Sequence, residues 1–400
     1  MASITNNQSK EDDEQYSELQ GRQIIGNNHD LTTQIILHLP SNSIFNLKLT
    51  SKLWLSISHD HLFIKTHALR HPRRLSGVFL RYVAQPQASS HAYVASKSND
   101  NTTPVPFVAA QNSLGLNIVQ SCNGLLLCSC SDIEYYVCNP MTMQRKQVPL
   151  PKGVRPGGYF GLNLAFDPRL SPFYKIVCVS KLFGHRSRFQ LEVYSSETGQ
   201  WKSVGDPFIE TDVLHFKQGV FCKGVIHWLK TTSSCLYFDV NNECLRSTPE
   251  PPLGKQCASY SHEFFGQSND HLYFVVKRHL PNFTLLQMKD DYSGWFVKNV
   301  VNLDVLAETF PIMARNLDRT PRFLLLYECN VLCIEESESG SDIDGDDLEL
   351  VLSMPGKIVR FNPRTNASRE FGELVRQPYN ASSWYKDFLA YEYFETICPV

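Results

Sequence analysis

Four cysteines, Cys122, Cys128, Cys130 and Cys138, lie close enough in the chain to invite a metal. Structural zinc takes its ligands in short, paired intervals, and spacings of six, two and eight residues do not form such pairs. Buried free thiols in sheet are the expectation. Asp342, Asp344, Asp346 and Asp347 surround Gly345 in the manner of a calcium loop. Such a loop needs Gly at its sixth position and Glu at its twelfth, and counting from Asp342 these hold Asp347 and Ser353. A solvated insertion whose like charges keep it off the sheet edge is expected instead. His227 sits beside Trp228 in an apolar run, where a lone imidazole is expected to be a hydrogen-bonded structural residue. Gly153, Gly157, Gly158 and Gly161 fit neither the dinucleotide fingerprint nor a P-loop, since no Gly-Lys-Ser/Thr follows, and no Gly-x-Ser-x-Gly occurs. The reading is of a non-catalytic chain with no metal and no cofactor.

The elements that carry these residues belong to a globular chain of 400 residues, 42% hydrophobic and 20% charged. A formal net charge of −2 leaves no global basic field to hold nucleic acid or an anionic membrane. No apolar run approaches the roughly 18–20 residues that cross a bilayer, and the polar, acidic start lacks a signal peptide's apolar segment. The 12 cysteines therefore read as reduced thiols, and the sequons at Asn101, Asn282, Asn366 and Asn380 as unused. Cytoplasm or nucleus is the expected compartment.

Three patterns succeed one another. Residues 1–26 have no hydrophobic period and read as a disordered polar tail. Residues 27–72 read as short helices. Leu31, Ile35, Ile36 and Leu39 recur at helical spacing behind Asp30 as N-cap, and Pro40 ends that helix. Ser41 or Ser43 caps a second helix with Ile44, Phe45, Leu47 and Leu49; a third, from Ser51 to about Ile57, presents Leu53, Trp54 and Ile57. Asp60 caps a fourth bearing Leu62, Phe63, Ile64, Ala68 and Leu69. Such a short module is marginal as an independent core. Its apolar content exceeds what it can hide, so part of the stripe is expected to face a partner. Leu47, Leu53 and Ile57 are assigned to internal packing, and Arg70, Arg73 and Arg74 to the solvated exit from the module.

From Gly77 to Val400 short Val, Ile, Tyr, Phe and Leu runs alternate with turn signals. Hairpins recur with turns near residues 140, 197, 241, 291 and 363. Most are preceded by another apolar strand pair, giving about four strands per unit of roughly 45–55 residues, the signature of propeller blades. A degenerate sixth unit is expected around Val78–Tyr82 and Tyr93–Ala95, with Phe388–Phe394 closing the ring against it. Trp201 and Trp295 are expected to pack between blades, and an acidic loop insertion is placed at about 335–349. The expected fold is thus a small all-α module followed by a large all-β domain, an irregular β-propeller.

Asp30-Leu31, Ile35-Ile36-Leu37, Leu39-Pro40, Ile44, Leu47, Ser51-Lys52 and Trp54 resemble an F-box, the adaptor-docking module of cullin–RING ubiquitin ligases. Asn28-His29 stands where that family commonly has Leu-Pro. The β region is similar to the F-box-associated domain of plant F-box proteins. It carries Ser121-Cys122-Asn123-Gly124-Leu125-Leu126, Asn139-Pro140-Met141-Thr142, Ala165-Phe166-Asp167-Pro168, Tyr174-Lys175-Ile176-Val177, Gly224-Val225-Ile226-His227-Trp228-Leu229, Tyr237-Phe238-Asp239-Val240 and Pro355-Gly356-Lys357-Ile358, in the expected order.

The resemblance implies a substrate receptor of an SCF-type ligase, with a Skp-type adaptor as partner and, through it, cullin and RING subunits. It implies adaptor contacts at Leu31, Ile35, Ile36, Leu39, Pro40, Ile44, Leu49, Ser51, Lys52 and Trp54, and an unidentified target protein on the β domain. Two other functions fit the residues: a propeller that binds or processes carbohydrate or a small metabolite, and an F-box-derived scaffold that no longer binds the adaptor.

Overall fold

The computed structural model describes residues 28–47, 51–71, 73–82, 91–96, 107, 115–212, 214–230, 234–252, 261–279, 282–315, 326–336, 348–373 and 388–400. The tail at 1–26, Leu49 and the aspartates at 342–347 lie outside them. The described contacts divide the chain into two compact units.

In the first unit, helix α1 (His29–Ile36) is capped by Asn28, not by Asp30. Asn28 is extended and its Oδ1 accepts from Leu31 N–H at 3.1 Å, which places Asp30 inside the first turn, where a carboxylate favours the helix dipole. Pro40 opens the next helix: α2 (Ser41–Leu47) begins one residue later, and Ile44 N–H donates to Pro40 O at 3.2 Å. Ser41 and Ser43 are therefore helical residues, a correction to their reading as caps. Helix α3 (Lys52–His59) follows Ser51, and α4 (His61–Arg70) is capped by Asp60, whose Oδ1 accepts from Phe63 N–H at 2.8 Å. Helices of this length are marginal in isolation. The segments Pro168–Pro172 and Thr396–Pro399 belong to the same compact unit, where Ile397 and Cys398 are buried alongside Ile36, Ile44, Ile57 and Ile64.

The second unit is a six-bladed β-propeller. Strands β1 (Leu75–Tyr82) and β2 (His91–Ala95) come first. Blade 1 is β3–β6 (Asn117–Cys122, Leu125–Ser129, Tyr135–Asn139, Gln144–Val148) and blade 2 is β7–β10 (Phe160–Ala165, Lys175–Lys181, Arg188–Ser195, Gln200–Ile209). Blade 3 is β11–β14 (Val220–Cys222, Val225–Leu229, Cys235–Asp239, Cys244–Ser247) and blade 4 is β15–β18 (Ser261–Ser268, His271–His279, Asn282–Met288, Trp295–Asn302). Helix α5 (Leu303–Thr309), a 3₁₀ turn at Pro311–Met313 and the short pair β19 (Ala314–Arg315) and β20 (Leu326–Tyr327) lead to blade 5, which is β21–β24 (Asn330–Glu336, Leu348–Met354, Lys357–Phe361, Ser368–Glu373). β25 (Phe388–Phe394) then pairs antiparallel with β1, making a sixth blade of order β2-β1-β25 from both ends of the unit. The expected closure is thus present. The acidic insertion is narrower than expected: Glu335, Glu336, Leu348 and Glu349 are strand residues, with Glu335 opposite Glu349, and Arg360 and Arg369 holding these two glutamates.

Two turn chemistries repeat. The connection from first to second strand is a two-residue turn with both residues at positive φ, at Asn123-Gly124, Lys223-Gly224 and Asn269-Asp270, the geometry that suits the twist of a hairpin. In the outer hairpin, Asn139, Asp239 and Asn362 each accept from backbone N–H groups two and three residues on, and the fourth residue on (Met143, Glu243, Asn366) has positive φ. Between blades the cores mix aromatic and aliphatic side chains. Trp228, Phe216 and Phe238 are sealed between blades 2 and 3, and Phe283, Leu303 and Leu350 between blades 4 and 5. Trp201 Nε1–H donates to Pro149 O at 2.6 Å, tying blade 2 to the segment leaving blade 1, and Trp295 is buried with Phe274 and Cys235 between blades 3 and 4.

Candidate functional site

In the helical unit the spacing of apolar residues separates two faces. Ile36, Leu37 and Ile44 point inward and are buried, whereas Leu31 and Ile35, one turn apart on α1, are exposed. Ile36 and Ile44 therefore hold the helices together, correcting their reading as surface. Pro40 and Lys52 are exposed; Leu39, Ser51 and Trp54 are half-buried. The exposed apolar set also includes Leu55 on α3, and Leu62 and Leu69 on α4, which are 72% and 62% exposed and which the sequence pattern had not separated from the core.

A histidine pair fixes the Leu37–Pro40 segment between these faces. His67 Nε2–H donates to Leu39 O at 2.9 Å and His71 Nε2–H to Leu37 O at 3.0 Å, their rings stacked 4.2 Å apart. These carbonyls lie past the end of α1, where no later helical N–H reaches them. Burial brings the His67 pKa down to about 4, against the opposing effect of its bond to Leu39, so the ring is neutral at physiological pH. No sequence signal announced this pair, because the partner atoms are main-chain.

In the propeller, the innermost strands β3, β7, β11, β15, β21 and β25 succeed one another around a central channel of about 910 Å³. Side-chain amides clasp the ring. Gln120 donates to Gly219 O at 3.0 Å and accepts from Leu164 N–H at 2.6 Å; Asn163 donates to Phe216 O and accepts from Gly219 N–H and Trp228 Nε1–H. Gly161 is required here, since a Cβ on it would lie 2.2 Å from Phe216 O. Glu392 on β25 lines the channel, and burial, then the neighbouring Glu335 charge, raises its pKa to about 8 against the pull of Arg73. Arg73 is not at a solvated exit: it bonds Asn123 Oδ1 at 2.5 Å and Asp270 Oδ1 at 2.7 Å, joining the inner turns of blades 1 and 4.

The residues first considered for chemistry have structural places. Cys122, Cys128 and Cys138 are buried; burial raises the Cys122 thiol to about 12, and the Cys128 thiol is raised well above its ordinary value by its hydrogen bond with Cys138 and by burial. Such thiols are protonated, the form that neither attacks nor ligates. Cys130 lies just beyond β4 and its Sγ–H donates to Glu134 at 2.9 Å. His227 is buried with its pKa brought down to about 4 by desolvation; Nδ1–H donates to Val220 O at 3.3 Å and Nε2 accepts from Tyr292 Oη–H at 3.0 Å, the two rings stacked within 2° of parallel. Among the described residues, no three His, Cys, Asp or Glu side chains converge as a metal site, and no helix is long and apolar enough to cross a membrane.

The chain is thus a short-helix unit with an exposed apolar face, followed by a propeller closed by its own last strand. Residues 92–284 match the F-box associated beta propeller domain. The chain is 30% identical to the F-box protein At5g07610 of Arabidopsis thaliana over 85% of its own length and 84% of that protein's. It is 26% identical to the putative F-box only protein 15 of the same plant, covering 56% of this chain and 59% of that one. To the F-box/kelch-repeat protein At3g17530, also of Arabidopsis, it is 23% identical, covering 56% and 60%. The chain belongs to the F-box proteins that carry an F-box-associated β-propeller domain.

Proposed function

We propose that this chain is the substrate-recognition subunit of an SCF-type cullin–RING ubiquitin ligase, working in the cytoplasm or nucleus. The helical unit docks a Skp-type adaptor, which tethers it through cullin to a RING protein and a charged ubiquitin-conjugating enzyme. The propeller holds a target protein. No covalent step belongs to this chain. Its contribution is to raise the effective concentration of target lysines near the ubiquitin thioester, converting a bimolecular encounter into a nearly intramolecular one.

The observation that carries this reading is the exposed apolar face of the helical unit, with Leu31, Ile35 and Pro40 open to solvent and Leu39 and Trp54 beside them half-buried. A face of this kind is costly to leave in water and is suited to burial against a partner. On this reading the docking set is Leu31, Ile35, Leu39, Pro40, Ser51, Lys52 and Trp54, together with Leu49, while Ile36 and Ile44 act from behind by fixing the helices.

Co-expression with a Skp-type adaptor tests it. Leu39→Asp, Ile35→Asp, or Pro40→Ala combined with Trp54→Ala should each cut the recovered complex by about tenfold or more, with thermal unfolding of the propeller unchanged. Equal recovery of wild type and all three variants rules the docking out.

A further inference from the structure

The overall charge of −2 conceals a local imbalance. Residues 149–165 and 176–191 contain Lys152, Arg155, Lys181, Arg186 and Arg188 and no Asp or Glu. The first stretch holds the β6–β7 connection and β7, the second most of β8, the β8–β9 turn and the start of β9, and the fold brings the connection and the turn together at one end of blade 2. Lys181 N–H donates to Tyr159 O at 2.9 Å, and the Arg155 guanidinium lies 5.4 Å from the Phe183 ring centroid. Tyr159 Oη–H in turn donates to Leu214 O at 2.7 Å and accepts from Phe216 N–H, which carries the surface on to exposed Lys217 at the rim of the central channel. All five basic side chains are exposed. None of them pairs with a carboxylate among the described residues, and the nearby Glu210 and Asp212 are taken up by Lys230 at 2.9 and 3.6 Å.

Beside these cations two large apolar side chains stand in the open, Phe183 next to Arg155 and Ile209 paired in register with Arg188. Phe183 is 88% exposed and Ile209, at the end of β10, is 73% exposed. Phe183 is not on a loose tip: Leu182 N–H donates to Arg188 O at 2.9 Å and His185 N–H to Leu182 O at 3.2 Å, so the turn presents the ring on a fixed base. An exposed aromatic ring in contact with arginine has the character of an interface hot spot, and the unpaired cations of this blade end select a partner of opposite sign.

We propose that this end of blade 2 is the target-recognition surface of the receptor, and that it binds an acidic polypeptide segment carrying an apolar side chain between its carboxylates. The proposal rests on the receptor function proposed for the chain and specifies the chemistry of the target. The carboxylates pair with Arg155, Arg186 and Arg188, and the apolar side chain packs on Phe183 and Ile209. A nucleic acid fits less well. The cations are confined to one blade end of a chain with 40 acidic residues, which would repel a longer polyanion, and Ile209 offers no flat face for a base.

The test uses the full chain, co-expressed with the adaptor and purified with whatever adaptor it retains, and a fluorescein-labelled random copolymer of Glu and Tyr read by anisotropy, with poly-Glu and an oligothymidine of matched charge as competitors. The expected result is that the copolymer binds about tenfold more tightly than poly-Glu, weakens as salt rises from about 50 to about 300 mM, and loses about tenfold with Phe183→Ala and with the double variant Arg186→Glu, Arg188→Glu. Because these side chains are exposed, recovery of the adaptor should not change, which also reports that the variants are folded. Copolymer binding that is indifferent to both variants overturns the proposal. Oligothymidine that displaces the copolymer and depends on the same residues overturns it in favour of a nucleic-acid site. If wild type fails to recover the adaptor yet binds the copolymer as described, the ligase reading falls and the recognition surface stands.

Discussion

Ile36, Ile44 and Ile57 of the helical unit are as well buried as Phe238, Phe283 and Phe371 of the propeller, yet the surroundings of the two sets differ. Each buried propeller ring is enclosed by a second sheet, because the blades form a circle and each sheet face meets a neighbour. Each helix of 7–10 residues has one face inward, and the remainder of its circumference keeps Leu31, Ile35, Leu55, Leu62 and Leu69 exposed. A closed ring of sheets buries the facing sides of its blades internally and leaves exposed apolar side chains, such as Phe183 and Ile209, at their margins. A cluster of short helices cannot enclose its faces in this way, and the surplus is what another protein can use. The same contrast applies to polar groups: inside the propeller Gln120 and Asn163 have their hydrogen bonds filled by neighbouring strands, whereas the cations of blade 2 are left for solvent or a ligand.

The largest effect that would sharpen this contrast lies in the ring. Trp228 is fully buried, its Nε1–H donating to Asn163 and its ring edge-on to Phe216 at 5.4 Å. Trp228→Ala leaves a cavity between blades 2 and 3 and removes one of the two hydrogen bonds to Asn163 Oδ1, and should lower propeller stability by about 3–5 kcal/mol in urea unfolding. A loss below about 1 kcal/mol would show that the blades do not depend on one another's faces. Next comes Ile57→Ala, expected to cost about 2–4 kcal/mol but only in the transition of the helical unit, monitored at Trp54 by fluorescence. Were the propeller transition to shift equally, the two units would not be separate in stability. Asp60→Ala removes the cap of α4 and should cost about 1 kcal/mol in the same helical transition, with Asp60→Asn restoring most of it.

The ring is legible in the sequence because its turns are chemical. Asn139, Asp239 and Asn362, each at the end of an apolar strand, mark the outer hairpins through side-chain oxygens that close a tight turn, and Asn123-Gly124 marks an inner one. Helix α5 is not legible: seven residues carry two inward apolar positions, Leu303 and Leu306, too few to establish a period between strands. In the helical unit the apolar stripe can be read but not its rotation. Ile35 and Ile36 are adjacent and chemically identical, and only the packed structure decides that the first faces solvent and the second the core. The His67–His71 pair and the Arg155–Phe183 contact are hidden for another reason, since their partners are a main-chain carbonyl and a residue on a distant turn. Charge sums hid the basic surface as well, because acids elsewhere in the chain cancel it.

The smallest effect separates the channel from the rest of the propeller. Glu392 has a folded-state pKa of about 8, against an ordinary carboxyl value of 4.5. Below pH 4.5 both folded and unfolded chains hold the proton, and the carboxyl has no net effect on stability. Between 4.5 and 8 the unfolded chain releases it while the folded one keeps it, so folding weakens as pH rises, and above 8 the full penalty is in place. Glu392→Gln keeps the shape and removes the titration. Its melting temperature should match wild type near pH 4.5, exceed it progressively up to pH 8 and run parallel above that. The gap should stay at a few degrees or less, because Glu392 is half-buried along the channel and not sealed, which softens its desolvation. A constant gap from pH 4.5 to 8 would mean that the channel solvates Glu392 as well as bulk water does, and that the ring's interior is no drier than the exposed face of the helical unit.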